Sequence, residues 1–237
     1  LWSVGGFAGA GLFGIWVGTF SLTTLASTGI AAAVIVLVTL AASRHLLPYG
    51  GDAGGKLLAL PKGIVTFVGI IACIAFLVEG AIMDWGGVFL TTVRHFDMAL
   101  AGTGFTVFSA AMLTMRLLGD WTVQKLGQER VVIGGSLLAV AGFLFIIFAP
   151  TVVLLYLGFF FIGVGCANVV PVFFSLLGKQ HVMPISLAVP AVSTLGYLGI
   201  LMGPAAIGFI AHQTSLYAAF TLLAALVLLQ AVIAAYV

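Results

Sequence analysis

Long apolar stretches dominate the chain, and its polar residues are gathered into short intervals between them. Residues 1–43 contain no Lys, Arg, Asp or Glu. A run of about 20 apolar residues is long enough to cross the ~30 Å core of a bilayer as a helix. Continuous apolar runs favour helices over barrel strands, whose residues alternate. The pattern predicts eight membrane-spanning helices, at residues 1–20, 22–43, 63–93, 98–118, 131–149, 151–177, 183–211 and 215–237.

The composition excludes an ordinary soluble domain. Hydrophobic residues make up 63% of the 237 positions and charged residues 6%, whereas soluble domains are about 25% charged. The net charge of +2 comes from scattered basic residues without a dense patch, so no nucleic-acid partner is expected. Cys73 and Cys166 lie inside apolar runs without metal-ligand spacing. We therefore expect neither a metal nor a cofactor, nor a disulfide between these cysteines.

The basic residues predict an orientation in the membrane. Cytoplasmic loops of membrane proteins are enriched in Lys and Arg. In the predicted topology only Arg94 faces the opposite side, and seven basic residues share one side: Arg44, Lys56, Lys62, Arg116, Lys125, Arg130 and Lys179. We expect a multi-pass protein of a bacterial inner membrane, with both chain ends and the polar interval 44–62 in the cytoplasm. This interval then links residues 1–43 to a six-helix bundle at residues 63–237.

Two glycine-rich segments resemble one another. "SVGGFAG" begins at Ser3 and "STLGYLG" begins at Ser193, and Ser, Gly, aromatic and Gly recur at equal spacing. One interpretation is chance similarity between two spans in which small residues allow close helix packing. The other is a duplicated bundle, which is common in transporters. On the second interpretation, residues 1–43 are the last two helices of a first bundle, and four helices precede them. The predicted packing residues are Gly6, Gly9, Gly196, Gly199, Gly203 and Pro204.

The loop between the fourth and fifth predicted helices reads "MRLLGDWTVQKLGQER", residues 115–130. It resembles the loop signature of the major facilitator superfamily, R-x-x-G-D-x-x-x-x-[RK]-x-G-x-x-R. "GYLGILMGPAAIG" at residues 196–208 is similar to a Gly-Pro helix of the same family, and "EGAIMDWGG" to a motif of its fucose-permease-like branch. The chain then resembles the family's fifth to twelfth helices. The signature falls on Arg116, Gly119, Asp120, Lys125, Gly127 and Arg130.

Physical chemistry suggests a gating role for this loop. Arg116 and Asp120 are four residues apart and would pair across one helical turn. Gly119 removes a side chain where another helix must come close, and a helix N-terminus favours the Asp120 carboxylate. Such contacts would latch the cytoplasmic ends of two bundles. The alternative is a charged turn that is merely solvated.

Glu79 and Asp84 are two carboxylates in an apolar run. The third predicted helix is longer than the membrane core, so it must tilt, protrude or break, and Gly80, Gly86 and Gly87 are candidate weak points. Counted from the start of the helix, Glu79 falls in the outer half of the bilayer. Ionisable groups at this depth commonly face a water-filled path. Glu79 and Asp84 are therefore candidate proton or solute ligands, and Trp85 a candidate stacking surface. The alternatives are an interhelical hydrogen bond for Glu79, a helix cap for Asp84 and an interfacial anchor for Trp85.

The sixth predicted helix carries an amide at membrane depth. Asn168 lies three residues before Pro171, which permits a kink, and seven after Phe161, on the same helical face. Asn168 and Phe161 are candidate solute contacts, or Asn168 is an interhelical hydrogen-bonding group. The family resemblance implies that Glu79 and Asn168 line one central cavity.

The sequence therefore predicts an all-helical membrane protein of the facilitator type, embedded as a monomer in a lipid bilayer. The resemblance implies secondary active transport of a small polar solute, such as a sugar or related metabolite, by alternating access with proton coupling. A proton-coupled exporter of drugs or metabolites and a membrane receptor without transport are the alternatives. A membrane enzyme is disfavoured because no H-E-x-x-H, G-x-S-x-G or histidine cluster is present.

Overall fold

The structure is a computed structural model that describes residues 24–43 and 60–236, and every regular element in these ranges is helical. The chain divides into two compact units, Leu1–Gly55 and Lys56–Val237. The described part of the first unit is α1 (Thr24–Ser43), which contains the apolar stretch Gly29–Ala42. The helix predicted at residues 1–20, with Gly6 and Gly9, lies outside the described residues.

The described residues of the second unit form eight α-helices. Their bounds are α2 (Ile64–Val88), α3 (Thr103–Leu117), α4 (Gly119–Leu126), α5 (Gln128–Phe148), α6 (Val152–Cys166), α7 (Val169–Leu177), α8 (Ile185–Gln213) and α9 (Leu216–Ala234). A π-helical turn at Phe89–Val93 continues α2, and a 3₁₀ turn at Met98–Leu100 precedes α3.

Six segments of the described residues are long and apolar enough to cross a bilayer. They are Ile64–Val93, Met98–Leu117, Gln128–Phe148, Val152–Leu177, Ile185–Gln213 and Leu216–Ala234. Each begins and ends within three residues of one of the last six predicted helices. Among the described residues there are therefore six candidate membrane spans, whereas the sequence predicted eight for the whole chain. The difference arises because α1 is not among these segments and residues 1–20 are not described.

One predicted helix is two helices in the structure. The span Val152–Leu177 is interrupted between Cys166, where α6 ends, and Val169, where α7 begins. Pro171 accounts for the interruption, because its ring nitrogen carries no hydrogen to donate to the carbonyl of Ala167.

The expected weak points in α2 do not break it. α2 continues through Gly80, Gly86 and Gly87, and the regular α-helical pattern gives way only at the π-helical turn that follows Val88. These glycines instead face neighbouring elements: Gly80 meets Ile200 on α8, and Gly87 meets the carbonyl of Ala101 in the turn before α3. Glycine here allows close packing rather than bending, because neighbouring elements occupy the space of the absent side chain.

α2 and α8 lie side by side and run parallel. Gly199 faces the carbonyl of Cys73 so closely that a Cβ there would collide with it. One turn further along both helices, a Cβ at Gly203 would lie 2.8 Å from the Leu77 side chain. Small residues thus bring the two backbones together, as expected for helices packed in lipid.

α5 and α6 form a second close interface, with the helices antiparallel. Gly142 lies against Gly158, where a Cβ on either residue would come within 2.7 Å of the other's carbonyl oxygen. Gly135 and Gly165 repeat this contact seven residues away along each helix. Backbone packs directly on backbone at both points.

Arg94 binds the C-terminal end of α5, which is the end farther from α4. Its Nη2 donates to the carbonyls of Ile146 and Ile147 at 2.6 and 3.0 Å. These carbonyls belong to the last turn of α5, which has no further helical N–H donors. A cation is also favourable at a helix C-terminus.

Candidate functional site

An ion pair joins two of the membrane-spanning segments. The Arg116 Nη2 on α3 donates to Glu79 Oε2 on α2 at 3.4 Å. The side chains are 23% and 13% exposed, respectively. Both residues lie within apolar candidate spans, where a paired charge is far less costly than an isolated one.

The break between α6 and α7 supplies a second partner for Arg116. The Arg116 Nε donates to the carbonyl of Ala167 at 3.2 Å. In a continuous helix this carbonyl would accept from the residue four positions later, but that residue is Pro171. The Arg116 guanidinium therefore takes the place of the missing N–H donor. The break between α6 and α7 thus supplies a carbonyl that binds the Arg116 cation.

Asn168, which lies in the break between α6 and α7, forms a hydrogen bond to the end of α3. It is buried, and its Nδ2 donates to the carbonyl of Met115 at 3.3 Å. Met115 lies in the last turn of α3, whose carbonyls lack helical donors. On its other side, Asn168 approaches the first residue of α4, since a Cβ built on Gly119 would lie 2.6 Å from Asn168 Oδ1. Glycine at position 119 is what allows this approach.

An open cavity of about 300 Å³ adjoins the cluster. Its polar lining consists of Arg116, Asp120, Gln124, Gln128, Asn168 and Ser175. These side chains come from the end of α3, from α4, from the start of α5, and from the α6–α7 region. The cavity thus gives access to Arg116 from the end of the bundle where α3 stops.

The contact with Arg116 also fixes the level of Glu79. At 1.5 Å per residue, Glu79 lies about 22 Å from Ile64 and about 21 Å from Val93. Counting from the predicted start of the helix at residue 63 gave the expectation of a position in the outer half of the bilayer. Its partner, however, lies in the last turn of α3. Glu79 is therefore at the level where α3 ends, and α2 extends beyond that level towards Ile64.

The expected pairing of Arg116 with Asp120 is wrong. α3 ends at Leu117 and α4 starts at Gly119, so the two residues do not share the continuous helix that a four-residue pair requires. Within residues 24–43 and 60–236, no ion pair links them. Asp120 is exposed in the first turn of α4, where the helix N-terminus favours a carboxylate.

The remaining residues of the loop signature lie on the surface beside the cluster. The Lys125 Nζ lies 4.9 Å from the centre of the Trp121 ring, and Arg130 is exposed near the start of α5. Gly127 joins α4 to α5 with φ +86°, a left-handed conformation that favours glycine. These positions fix the shape of the joint between the two helices.

Three predicted site residues lie apart from the cluster. Asp84 is exposed. Trp85 packs on α8, where its Nε1 donates to the Pro204 carbonyl at 2.9 Å. The Phe161 ring lies 5.6 Å from that of Phe145 on α5, whereas Asn168 turns towards α3. The expectation that Phe161 and Asn168 share a helical face assumed an uninterrupted helix.

The sequence reasoning missed two features of the site. It assigned Arg116 to the loop, although this residue ends an apolar run and reaches Glu79. It also missed the Ala167 carbonyl as a hydrogen-bond acceptor, although a proline four residues later signals one.

Comparison with known proteins identifies similar sequences and a similar fold. The sequence profile of the Major Facilitator Superfamily matches residues 68–237. An uncharacterised transporter of the major facilitator type from Yersinia pestis is 42% identical over 231 residues, which are 96% of this chain and 59% of that protein. An uncharacterised transporter from Sinorhizobium fredii is 34% identical over 183 residues, 77% of this chain and 48% of that protein.

A solved structure has a similar fold at low sequence identity. It is the crystal structure of a mutant of the peptide transporter POT in complex with sulfate, with a TM-score of 0.61 and 20% identity. The match covers 80% of this chain and 39% of that one. The chain spans less than two thirds of the length of both curated relatives and of this structure.

Proposed function

The chain belongs to the Major Facilitator Superfamily, and we propose that it supplies one six-helix bundle and part of another in a secondary active transporter. Membership of this family indicates a membrane transporter rather than an enzyme. The transporter imports a small polar solute, a sugar or a related metabolite, by alternating access. Proton movement drives the import, and the transporter works as a monomer in a bacterial inner membrane.

The proposal rests on the ion pair between Glu79 and Arg116. A carboxylate at this depth in an apolar span needs a compensating partner, and the partner comes from a neighbouring span. Taking up a proton at Glu79 removes one of the two charges and so weakens the contact between α2 and α3. Glu79 is the proposed proton site, and Asn168 is proposed to contact the solute in the same cavity.

The orientation follows from the distribution of basic residues. Lys125, Arg130 and Lys179 lie on the end of the bundle at which α3 stops, and Arg94 lies at the other end. Positive charge is concentrated on the cytoplasmic side of membrane proteins, so the cavity opens towards the cytoplasm. The interval 44–62 and both ends of this chain are then cytoplasmic.

The loop signature is proposed to act as a latch beside the cavity. Gly119, Asp120 and Gly127 set the position of α4 against α3 and α5, while Lys125 and Arg130 present charges at the cytoplasmic surface. The buried Gly119 leaves room for Asn168, and the exposed Asp120 is available to the partner bundle. Contacts between Asp120 and that bundle would hold one state of the transporter and release another.

The test is transport by the full-length protein in proteoliposomes. Labelled sugars, sugar acids, amino acids and lipophilic cations are screened while the internal pH is recorded. We expect inward accumulation of a polar solute together with internal acidification under an inward proton gradient. Binding of a solute without counterflow would show a receptor instead, and outward movement of lipophilic cations would show an exporter; either result overturns the proposal.

A further inference from the structure

We propose that an anionic phospholipid binds in a groove between α3 and α5, with its headgroup at Arg130 and an acyl chain lying over α6. This groove is distinct from the cavity that Arg116 lines, and binding there does not depend on which solute is transported. The lipid would be a component of the membrane that occupies a built site on the protein.

The groove is an open cavity of about 150 Å³. Its floor includes the close backbone contact between Gly135 and Gly165. A Cβ built on Gly134 would meet no atom within 4 Å, so the space in front of this residue is empty of protein atoms. The walls of the groove include Met115, Leu126, Arg130, Leu138 and Val164.

The length of the groove suits an acyl chain. Arg130 and Leu138 are separated by about 12 Å along α5, and the hydrocarbon of one leaflet is about 15 Å deep, half of the ~30 Å core. A second open cavity of about 280 Å³ shares Met115 and Val164 with the groove and extends it along α3 to Val107. The path thus starts at a cation and continues between apolar side chains, in the order of headgroup and chain in a phospholipid.

The mouth of the groove carries positive charge. Arg130 is exposed and lines the groove, and Lys125 is exposed nearby with its Nζ 4.9 Å from the centre of the Trp121 ring. In the part of the chain that the structure describes, no carboxylate forms an ion pair with either cation. Neither Asp120 nor Glu129, the acidic residues nearest in the sequence, is among the residues that line the groove. A guanidinium binds phosphate oxygens through paired hydrogen bonds, and basic pockets between cytoplasmic helix ends bind anionic headgroups.

α4 has the character of a helix at a membrane surface. Leu117, just before it, is 77% exposed, and Trp121 is 60% exposed. Thr122 and Leu126 line the groove, whereas Asp120 lines the cavity of about 300 Å³. At 100° per residue these two sets lie on opposite faces of α4. Trp is enriched where membrane meets water, so the groove side of α4 faces lipid, and the occupant is a phospholipid rather than a soluble anion. In the proposed orientation this is the cytoplasmic leaflet.

The experiment titrates lipids into the full-length protein, purified in detergent and stripped of lipid. Phosphatidylglycerol is compared with phosphatidylcholine of the same acyl chains, and glycerol 3-phosphate supplies the phosphate without chains. Bound lipid is counted by native mass spectrometry, and thermal stabilisation is measured in parallel. We expect saturable binding and stabilisation by phosphatidylglycerol, weaker effects of phosphatidylcholine, and none of glycerol 3-phosphate at the same concentration. Added salt should weaken phosphatidylglycerol binding, because it screens the exposed cations.

Two variants test the headgroup and chain contacts separately. Arg130→Gln should weaken phosphatidylglycerol binding about fivefold, as expected for losing one basic group near an anionic headgroup. Lys179→Gln, which removes an exposed cation that does not line the groove, should leave binding unchanged. Gly134→Leu places a side chain in the groove and should also weaken binding. Its matched control is Gly102→Leu, since Gly102 is exposed and its Cβ would likewise meet no atom within 4 Å.

Three results would overturn the lipid site. Equal binding of the two lipids, unchanged in Arg130→Gln, would show that lipid coats the protein without a specific headgroup contact. Stabilisation by glycerol 3-phosphate equal to that by phosphatidylglycerol would show a site for a soluble anion. A lower melting temperature of lipid-free Gly134→Leu, but not of Gly102→Leu, would show that another segment of the full-length protein fills the groove.

Discussion

Replacing Glu79 by Gln is the sharpest test of proton coupling. Gln has nearly the shape of a protonated Glu and cannot ionise, so the variant permanently imitates the proton-loaded state that the proposed mechanism requires. At 3.4 Å, the attraction between the two charges is about 1 kcal/mol in water and about 5 kcal/mol at an effective dielectric constant of about 20. The side chains are partly exposed, which places the interaction between these limits, at about 2–3 kcal/mol.

An interaction of this size changes an equilibrium by a factor of about 30 to 150. On the proposed mechanism, this attraction resists opening of the α2–α3 contact in the wild-type protein until Glu79 takes up a proton. In Glu79→Gln this resistance is absent at every pH. We therefore expect loss of proton-driven accumulation, retention of solute counterflow, and a counterflow rate that no longer varies between pH 5.5 and 8.

The assay is uptake and counterflow in proteoliposomes at equal protein content. Glu129→Gln is the matched control, because Glu129 is an exposed carboxylate in the first turn of α5. Its uptake should follow the wild-type pH profile. If Glu79→Gln also kept the wild-type profile and accumulation, the carboxylate would have no part in coupling and the reasoning would fail.

Three further variants test other parts of the molecule. Asp120→Asn should reduce transport sharply at near-normal expression, because it removes the charge proposed for the latch; wild-type uptake would argue against the latch. Gly199→Ala should lower the melting temperature in detergent, since overpacking typically costs about 1–3 kcal/mol, while Gly134→Ala, with no atom within 4 Å of its Cβ, should not. Equal melting temperatures for the two would refute the close-packing argument. Arg94→Gln should lower thermal stability but leave the KM for solute unchanged, because it removes two charge-assisted hydrogen bonds to the end of α5; an altered KM would point to a role in binding.

The six apolar spans of the second unit could be predicted because each reflects a local property of the chain, whereas α4 lies inside the interval 115–130 that was wrongly expected to be a loop. Continuous apolar runs give the spans, and short polar intervals give their ends. The contact between Glu79 and Arg116 has no such local signal. It depends on how far α2 extends past the end of α3, and this offset is set by packing between helices. Pro171 predicted a kink near Asn168, but the arginine that occupies the freed carbonyl is 51 residues away along the chain.

The same limit explains the errors at Asp120 and Phe161. Both expectations assumed that residues four or seven apart lie on one uninterrupted helix. At Leu118 and at Ala167 the chain leaves the regular helix, so the spacing no longer determines which side chains are neighbours. Gly119 lies close to Asn168; a missing side chain is a local signal of such an approach even when its neighbour is unknown.

The glycine contacts between α5 and α6 have a mechanical consequence. Where Gly142 touches Gly158, main chain rests on main chain, and there is no rotatable side chain to absorb a displacement. A displacement of one helix of such a pair therefore displaces the other by the same amount, so α5 and α6 move together as a rigid unit. Deformation must then concentrate where long side chains form the connection, and the contact between Glu79 and Arg116 is one such link.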